Sequence, residues 1–385
     1  MDELAPGSAP KIMGQEVRGL RALGHECEAV SIIERDYPRR FPSVYDYHLD
    51  GVPIKYLFEK FPLPVRALDF KFPGFSFFSL HHLTSAVFST SNMEVGEWDV
   101  LVAYCQYTSF TARSLCKRRG IPYLQYIWDP TPYTLAKVYS QKPMSHFFPI
   151  LLPMASYLDK YAFKDALAVI TSGKLHHSRL RQLTDKNLEI LYPGCFPAAE
   201  FPPFEARDDM ILTFDRWDVG NIPNVFLDIL ERLSRRIRLV IGGFWHPQSL
   251  RESFVREVER RGLSDWVQIM GPLDERMIIQ LCSKAKVHIH PNEEAFGMQS
   301  LEAAACGCPI LIPENSGVTD LFEHGVHGYF PKRGDVDKYI EYIERIIRNP
   351  AQAKEMSYEA WQTAKSHTWK EHALKLEEIT MKYVK

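Results

Sequence analysis

The chain has 385 residues and a formal net charge of −2, from 46 Lys+Arg against 48 Asp+Glu. At roughly 100–200 residues per domain this length predicts two domains, and a composition 45% apolar and 24% charged excludes disordered and collagen-like chains. A charge this close to zero lacks the basic footprint of a nucleic-acid binder.

The seven cysteines are odd in number and scattered, and the closest pair, Cys306-Gly-Cys308, has neither zinc-knuckle nor CxxC spacing. They read as reduced structural thiols. The first ten residues, MDELAPGSAP, have neither a basic nor an apolar signal-peptide region. The longest apolar stretch, Phe147–Met154, holds Pro149 and Pro153 and falls far short of the ~20 residues of a spanning helix. The expectation is a cytoplasmic protein, with the inner membrane face as the other location.

In chain order, Gln15–Leu23 reads as a short amphipathic helix stopped by Gly24, followed by a buried strand at Glu28–Ile33. Asp99–Tyr104 is a predicted strand, Thr108–Arg119 a helix closed at Gly120, and Pro122–Ile127 a strand. A helix around Met154–Phe163 and a strand at Ala166–Thr171 complete this part. The segment Cys195–Asp208, with four prolines and no periodicity, is the expected linker. Beyond it strands are expected at 210–214, 238–242, 267–270, 287–290 and 309–312. Helices alternate with them at 225–233, 250–260, 274–283, 297–306 and 336–347. Such alternation predicts two open parallel sheets covered by helices, with ligands at the carboxyl ends of the strands. The expected domains are 1–200, 201–360 and a C-terminal helix, 361–385, returning to the first domain. Doubly wound domains open on a strand, but only a turn (Pro6-Gly7-Ser8, then Gly14) precedes the first helix. The first strand therefore reads as missing.

Chemistry concentrates in residues 286–330. A strand runs into Pro291, a polar loop carries Glu294, and Gly297 opens a helix bearing Glu302. A helix N-terminus offers unpaired N–H groups and a positive dipole end to a diphosphate, and glycine permits close backbone approach. Ser316-Gly317-Val318 forms a second turn with backbone donors. His288 and His290 alternate on the strand and read as satisfied core histidines. His81-His82 and His176-His177 lack a third ligand at metal spacing. The Phe-rich stretch Phe72–Phe88 reads as core, with a membrane or lipid-acceptor patch as the other reading.

The composite Pro-x-x-Glu-x-Phe-Gly-x-x-x-x-Glu-Ala-x-Ala-x-Gly-x-Pro from Pro291 to Pro309 resembles the donor site of glycosyltransferase family 4 (group 1), the retaining GT-B nucleotide-sugar transferases. Ile170-Thr-Ser172, Leu191-Tyr-Pro-Gly194, Phe214-Asp-Arg-Trp-Asp218 and Glu323-His-Gly-Val-His-Gly328 resemble further family segments at lower strength. The resemblance implies an α/β GT-B fold of two Rossmann-like domains facing a cleft. It also implies a retaining transferase that needs no metal and no cofactor beyond its nucleotide-sugar substrate. By the same resemblance Glu294 contacts the transferred sugar, Glu302 binds the ribose, and Phe296, Gly297 and Met298 face sugar and diphosphate. Arg216 would neutralise the leaving diphosphate, with Ser316, Gly317 and Val318 on the donor as well. The family carries a lysine five residues after that arginine, where Asn221 stands, and a histidine where Trp128-Asp129 stands. Gly14, Trp128 and Asp129 are the acceptor-side candidates. A glycan, a lipid-linked glycan and a small molecule all fit as acceptor; no nucleic-acid partner is expected, and membrane contact would be peripheral. Two other readings keep the fold: a non-catalytic subunit with a degenerate donor site, and a nucleotide-sugar hydrolase or epimerase.

Overall fold

The computed structural model describes residues 7–32, 49–56, 96–140, 143–218, 223–234 and 237–384. Asn221, His81-His82, Phe72–Phe88 and most of the segment 37–90 lie outside them. The chain divides into two compact units, Met1–Tyr192 with His372–Lys385, and Pro193–Glu371.

The first unit opens with helix α1, Ser8–Ala22, which starts well before the expected Gln15. Pro10 lies in its first turn, where backbone N–H groups have no intrahelical partner, so proline does not delay the start. Ile12, Met13 and Val17 form its buried face. Strands β1 (Ala29–Ser31) and β2 (Ile54–Tyr56) pair in parallel. A second sheet joins β3 (Leu101–Tyr104), β4 (Tyr123–Tyr126), β5 (Val169–Thr171) and β6 (Leu188–Ile190) in the order β3-β4-β5-β6, all parallel. Helices α2 (Ser109–Arg119), α3 (Thr131–Tyr139), α4 (Phe148–Phe163) and α5 (Lys174–Arg181) connect these strands. Ile127, Phe163, Val169 and Leu180 form one of its buried clusters. Asp159 is fully buried and holds the start of α3, accepting from the Thr131 N–H at 2.8 Å and from its hydroxyl.

The second unit holds one six-stranded sheet. Its strands are β7 (Asp208–Trp217), β8 (Arg238–Trp245), β9 (Val267–Ile269), β10 (Ala285–Ile289), β11 (Ile310–Leu311) and β12 (Gly328–Tyr329). They run in the order β12-β11-β10-β7-β8-β9, all parallel. Counted within the unit this is the 3-2-1-4-5-6 order of a Rossmann fold, with its switch point between β7 and β10. Helices α6 (Val225–Arg232), α7 (Gln248–Arg260), α8 (Glu275–Lys284), α9 (Met298–Ala305), α10 (Val336–Arg348) and α11 (Pro350–Lys365) complete it. Ile211, Leu239, Ile241, Val287 and Ile289 are buried on one face of the sheet and Leu212, Val240 and His288 on the other, which explains why these strands read as continuous apolar runs.

Two expectations change. The proline-rich segment 195–208 is folded into the second unit: the Cys195 N–H donates to the His367 carbonyl and the Ala198 N–H to that of Ala305. The C-terminal stretch is two helices, α11 and α12 (Trp369–Tyr383), because Thr368 leaves helical geometry to bridge Cys195. From His372 onward α12 belongs to the first unit, where buried His372 donates from Nδ1 to the Tyr192 carbonyl and meets the Glu16 carboxyl at 2.7 Å.

Candidate functional site

The site in the second unit is built at the switch point, where β7 and β10 lie side by side. His288 pairs with Leu212 in register, so the strand ends bring Asp215 and His290 together. His290 Nε2 lies 2.9 Å from Asp215 Oδ2, and its Nδ1 lies 2.9 Å from the Asn292 carbonyl oxygen. Both ring nitrogens thus face oxygen acceptors, an arrangement that only the doubly protonated ring satisfies. Asp215 Oδ1 accepts from the Gln299 side chain at 2.8 Å and from the Arg216 N–H at 2.7 Å, which fits a carboxylate. Burial opposes the charge on His290, but the hydrogen bond and charge of Asp215, with Glu294, hold its pKa up at about 9. His288, fully buried beside it, is pushed down to about 3 by burial and by the charge of His290. His290 is thus a buried histidine with both ring nitrogens satisfied, as expected, and its departure from His288 is in charge. Its environment requires a neighbouring strand that lies 75 positions away.

Glu294 is half-buried in the loop after β10. Asp215, His290 and Glu294 place three side-chain ligand atoms within 4.8 Å of one another. His290 and Asp215 are joined by a hydrogen bond, and Glu294 adds a third ionisable group beside them.

Gly297 closes the loop in a left-handed conformation, φ 96° and ψ 60°, which other residues rarely adopt. Helix α9 begins at Met298 with no side-chain cap, so its first N–H groups keep their positive end for an anion. Glu302, in the second turn of α9, is buried, as are Phe296 and Met298. The loop is stapled to the 316–318 turn: the Gly317 N–H donates to the Glu294 carbonyl at 3.1 Å and the Val318 N–H to that of Phe296 at 2.6 Å. A Cβ on Gly317 would lie 2.1 Å from the Ala295 carbonyl oxygen, so only glycine allows this approach. Arg216 is exposed at the end of β7 and pairs with Asp218 at 3.1 Å. The structure thus groups Glu294, Phe296, Gly297, Met298, Ser316, Gly317 and Val318 around the start of α9, with Arg216 next to the Asp215 that bonds Gln299.

The opposite end of α9 rests on a residue the sequence did not single out. Buried Arg207 donates to the carbonyls of Cys282 and Ala285, at 2.7 and 3.0 Å, and of Cys306 and Gly307, at 2.9 and 2.6 Å. One guanidinium therefore serves the last carbonyls of α8 and α9 together.

The acceptor-side candidates lie in the first unit. Gly14 is inside α1 and buried, so its N–H belongs to the helix and the expected glycine turn there is corrected. Trp128 packs in an aromatic cluster, 5.2 Å from Tyr126 and 6.1 Å from Tyr104 between ring centres. Asp129 is half-buried, with His176 Nε2 3.4 Å from its carboxylate.

Residues 219–363 match the family Glycosyl transferases group 1. The chain is similar to the D-inositol 3-phosphate glycosyltransferase of Thermobispora bispora, 25% identical over an alignment spanning 94% of this chain and 86% of that one. The corresponding protein of Streptosporangium roseum is 26% identical over 50% of this chain. There the match spans about half of the relative's length, 47%. Among solved structures, Anabaena HepE in complex with UDP and glucose superimposes with TM-score 0.71 at 16% identity, covering 99% of this chain and 98% of that one. Sucrose-phosphate synthase of Thermosynechococcus elongatus gives TM-score 0.72 at 17% identity, covering 96% and 91%. These likenesses give the chain the GT-B fold of two Rossmann-like domains and, with the match over 219–363, support a group 1 glycosyltransferase.

Proposed function

We propose that the protein is a retaining, metal-independent glycosyltransferase that moves a sugar from a UDP- or GDP-sugar onto an acceptor hydroxyl. The observation carrying this reading is the uncapped start of α9 at the switch point, with Glu294 in the loop before it and Glu302 in its second turn. In the proposed step the acceptor oxygen bonds the anomeric carbon on the face that the diphosphate leaves. The broken C–O bond's electron pair goes to the diphosphate, whose oxygen takes the acceptor's proton. Arg216 and the α9 N–H groups stabilise that developing charge, Glu294 holds the sugar and Glu302 the ribose. The UDP carried by HepE makes UDP the first nucleotide to try. On the acceptor side, Asp129 beside His176 offers a carboxylate to an acceptor hydroxyl.

Calorimetric titration with UDP, GDP, UDP-glucose and GDP-mannose in the presence of a chelator tests the donor half. Micromolar binding of one nucleotide is expected, and no binding to any of them overturns the reading in favour of a degenerate site. Donor consumption that needs no acceptor would make the protein a hydrolase instead. The anomeric configuration of the product, read by NMR, tests retention.

We also propose a peripheral membrane contact through α4. No helix among the described residues is long and apolar enough to cross a membrane. Yet Phe147, Ile150, Met154, Tyr157 and Tyr161 recur at helical spacing, each 39–70% exposed, with exposed Lys160 and Lys164 nearby. Such a stripe suits an anionic bilayer surface.

A further inference from the structure

We propose that His290 is a fixed imidazolium that positions the transfer machinery, pairing with Asp215 beside Glu294 beneath the diphosphate site and tying Arg216 to the first turn of α9 through Asp215. This inference rests on the donor-site reading of Glu294, Arg216 and α9. Two carboxylates within 4.8 Å of one another would repel each other and an incoming diphosphate. A cation held beside them offsets one of the two charges and lowers that repulsion without occupying the space of the ligand. The hold is geometric. The ring is 3% exposed, and its nitrogens are held at 2.9 Å by Asn292 and by Asp215. The backbone carbonyl of His290 accepts from the Tyr339 hydroxyl of α10 at 3.2 Å, so the residue is clamped by main chain as well.

The tie continues through Asp215. Its second oxygen gathers the Gln299 amide from α9 and the N–H of Arg216. The strand end bearing the arginine and the helix start that receives the diphosphate are therefore joined through one carboxylate. The charged and titratable groups around the ring are Asp215 on β7, Glu294 in the following loop, His288 on its own strand and Tyr339 on α10. The two acids hold the proton on up to about pH 9, which keeps the ring cationic across the neutral range.

The test combines three measurements on the full-length chain. Histidine ring resonances followed by NMR from pH 5 to 10, with His290 identified by its loss in His290→Gln, read the protonation state without ligand. The ring is expected to stay doubly protonated to near pH 9, and Asp215→Asn should move its titration to lower pH. UDP and GDP titrations at pH 7 read the donor site independently of turnover. For the nucleotide-sugar that binds, kcat/KM should fall above about pH 9. His290→Gln should lower kcat/KM roughly 10- to 100-fold at pH 7, the loss of one charged hydrogen bond, mainly in kcat, and should remove the alkaline limb. Asp215→Asn should shift that limb downward, which a merely structural role would not do.

A ring that titrates at or below 6.5 in the wild type overturns the inference even if nucleotide binds. So does an alkaline limb that neither substitution moves. A ring that stays protonated to pH 9 in a protein that binds no nucleotide overturns the donor-site reading and with it the positioning role, leaving only the ion pair.

Discussion

Substituting Gly317 by alanine tests whether the 294–296 loop is held for a ligand by its contact with the 316–318 turn. The new Cβ would lie 2.1 Å from the Ala295 carbonyl oxygen and 2.9 Å from the Phe296 Cα, both backbone atoms that cannot rotate away. Restoring a separation beyond 3 Å requires the two segments to part by about 1 Å, enough to stretch bonds of 3.1 and 2.6 Å past useful length. Overpacking of this kind costs about 1–3 kcal/mol, and each lost backbone hydrogen bond about 1 kcal/mol. The two are alternatives in part, since parting the segments relieves the clash, so a net loss of about 2–3 kcal/mol follows. At about 2–4 °C per kcal/mol for a unit of this size, the melting temperature should fall by roughly 5–10 °C. Donor affinity or turnover should fall more steeply, because a shift of about 1 Å at a reacting site can cost about 100-fold. Gly271→Ala is the matched control, since its Cβ meets nothing within 4 Å. The assays are a thermal melt and a UDP or GDP titration. A Gly317→Ala protein that matches Gly271→Ala in both would refute the reasoning.

Other substitutions probe separate parts of the molecule. Glu294→Gln should abolish transfer while leaving nucleotide affinity within a few-fold, because its proposed partner is the sugar; surviving transfer would remove Glu294 from that role. Arg207→Met should destabilise the second unit by about 3–5 kcal/mol, since it leaves buried carbonyls without donors, and denaturant unfolding would register it. For stability against pH, His290 is raised from an ordinary 6.5 to about 9. Its contribution, about 3 kcal/mol, is complete below pH 6.5 and is lost as pH rises through 9, so unfolding at pH 6 and 9 should converge in His290→Gln. His372→Ala should leave the buried Glu16 with the Tyr104 hydroxyl as its remaining partner, at a cost of about 1–3 kcal/mol in the first unit, and burial should push its carboxyl further toward the neutral form. Ile150→Glu with Tyr157→Glu should abolish sedimentation with anionic vesicles and leave the melting temperature within about 2 °C, as both side chains are exposed.

The α/β rhythm was legible because each strand is a short apolar run and each helix an amphipathic one, signals that need only neighbouring residues. The Pro291–Pro309 motif was legible for the same reason: strand end, loop, glycine and helix follow one another along the chain. Local signals misled where context extended or cut an element. Proline in a first turn did not stop α1 from starting at Ser8, which drew Gly14 into the helix. Thr368 broke the C-terminal helix by pairing with Cys195.

Sequence by itself determined the fold class, the alternation of elements and the composite motif, since these depend on residue types within a few turns of one another. Tertiary structure alone decided the strand order that sets β7 beside β10, and with it the charge of His290. It also decided the service of Arg207 to two helix ends and the meeting of Glu16 with His372, 356 positions away. Burial and hydrogen-bond partners fix the protonation and purpose of a polar side chain, and those partners come from whichever segments the fold packs together.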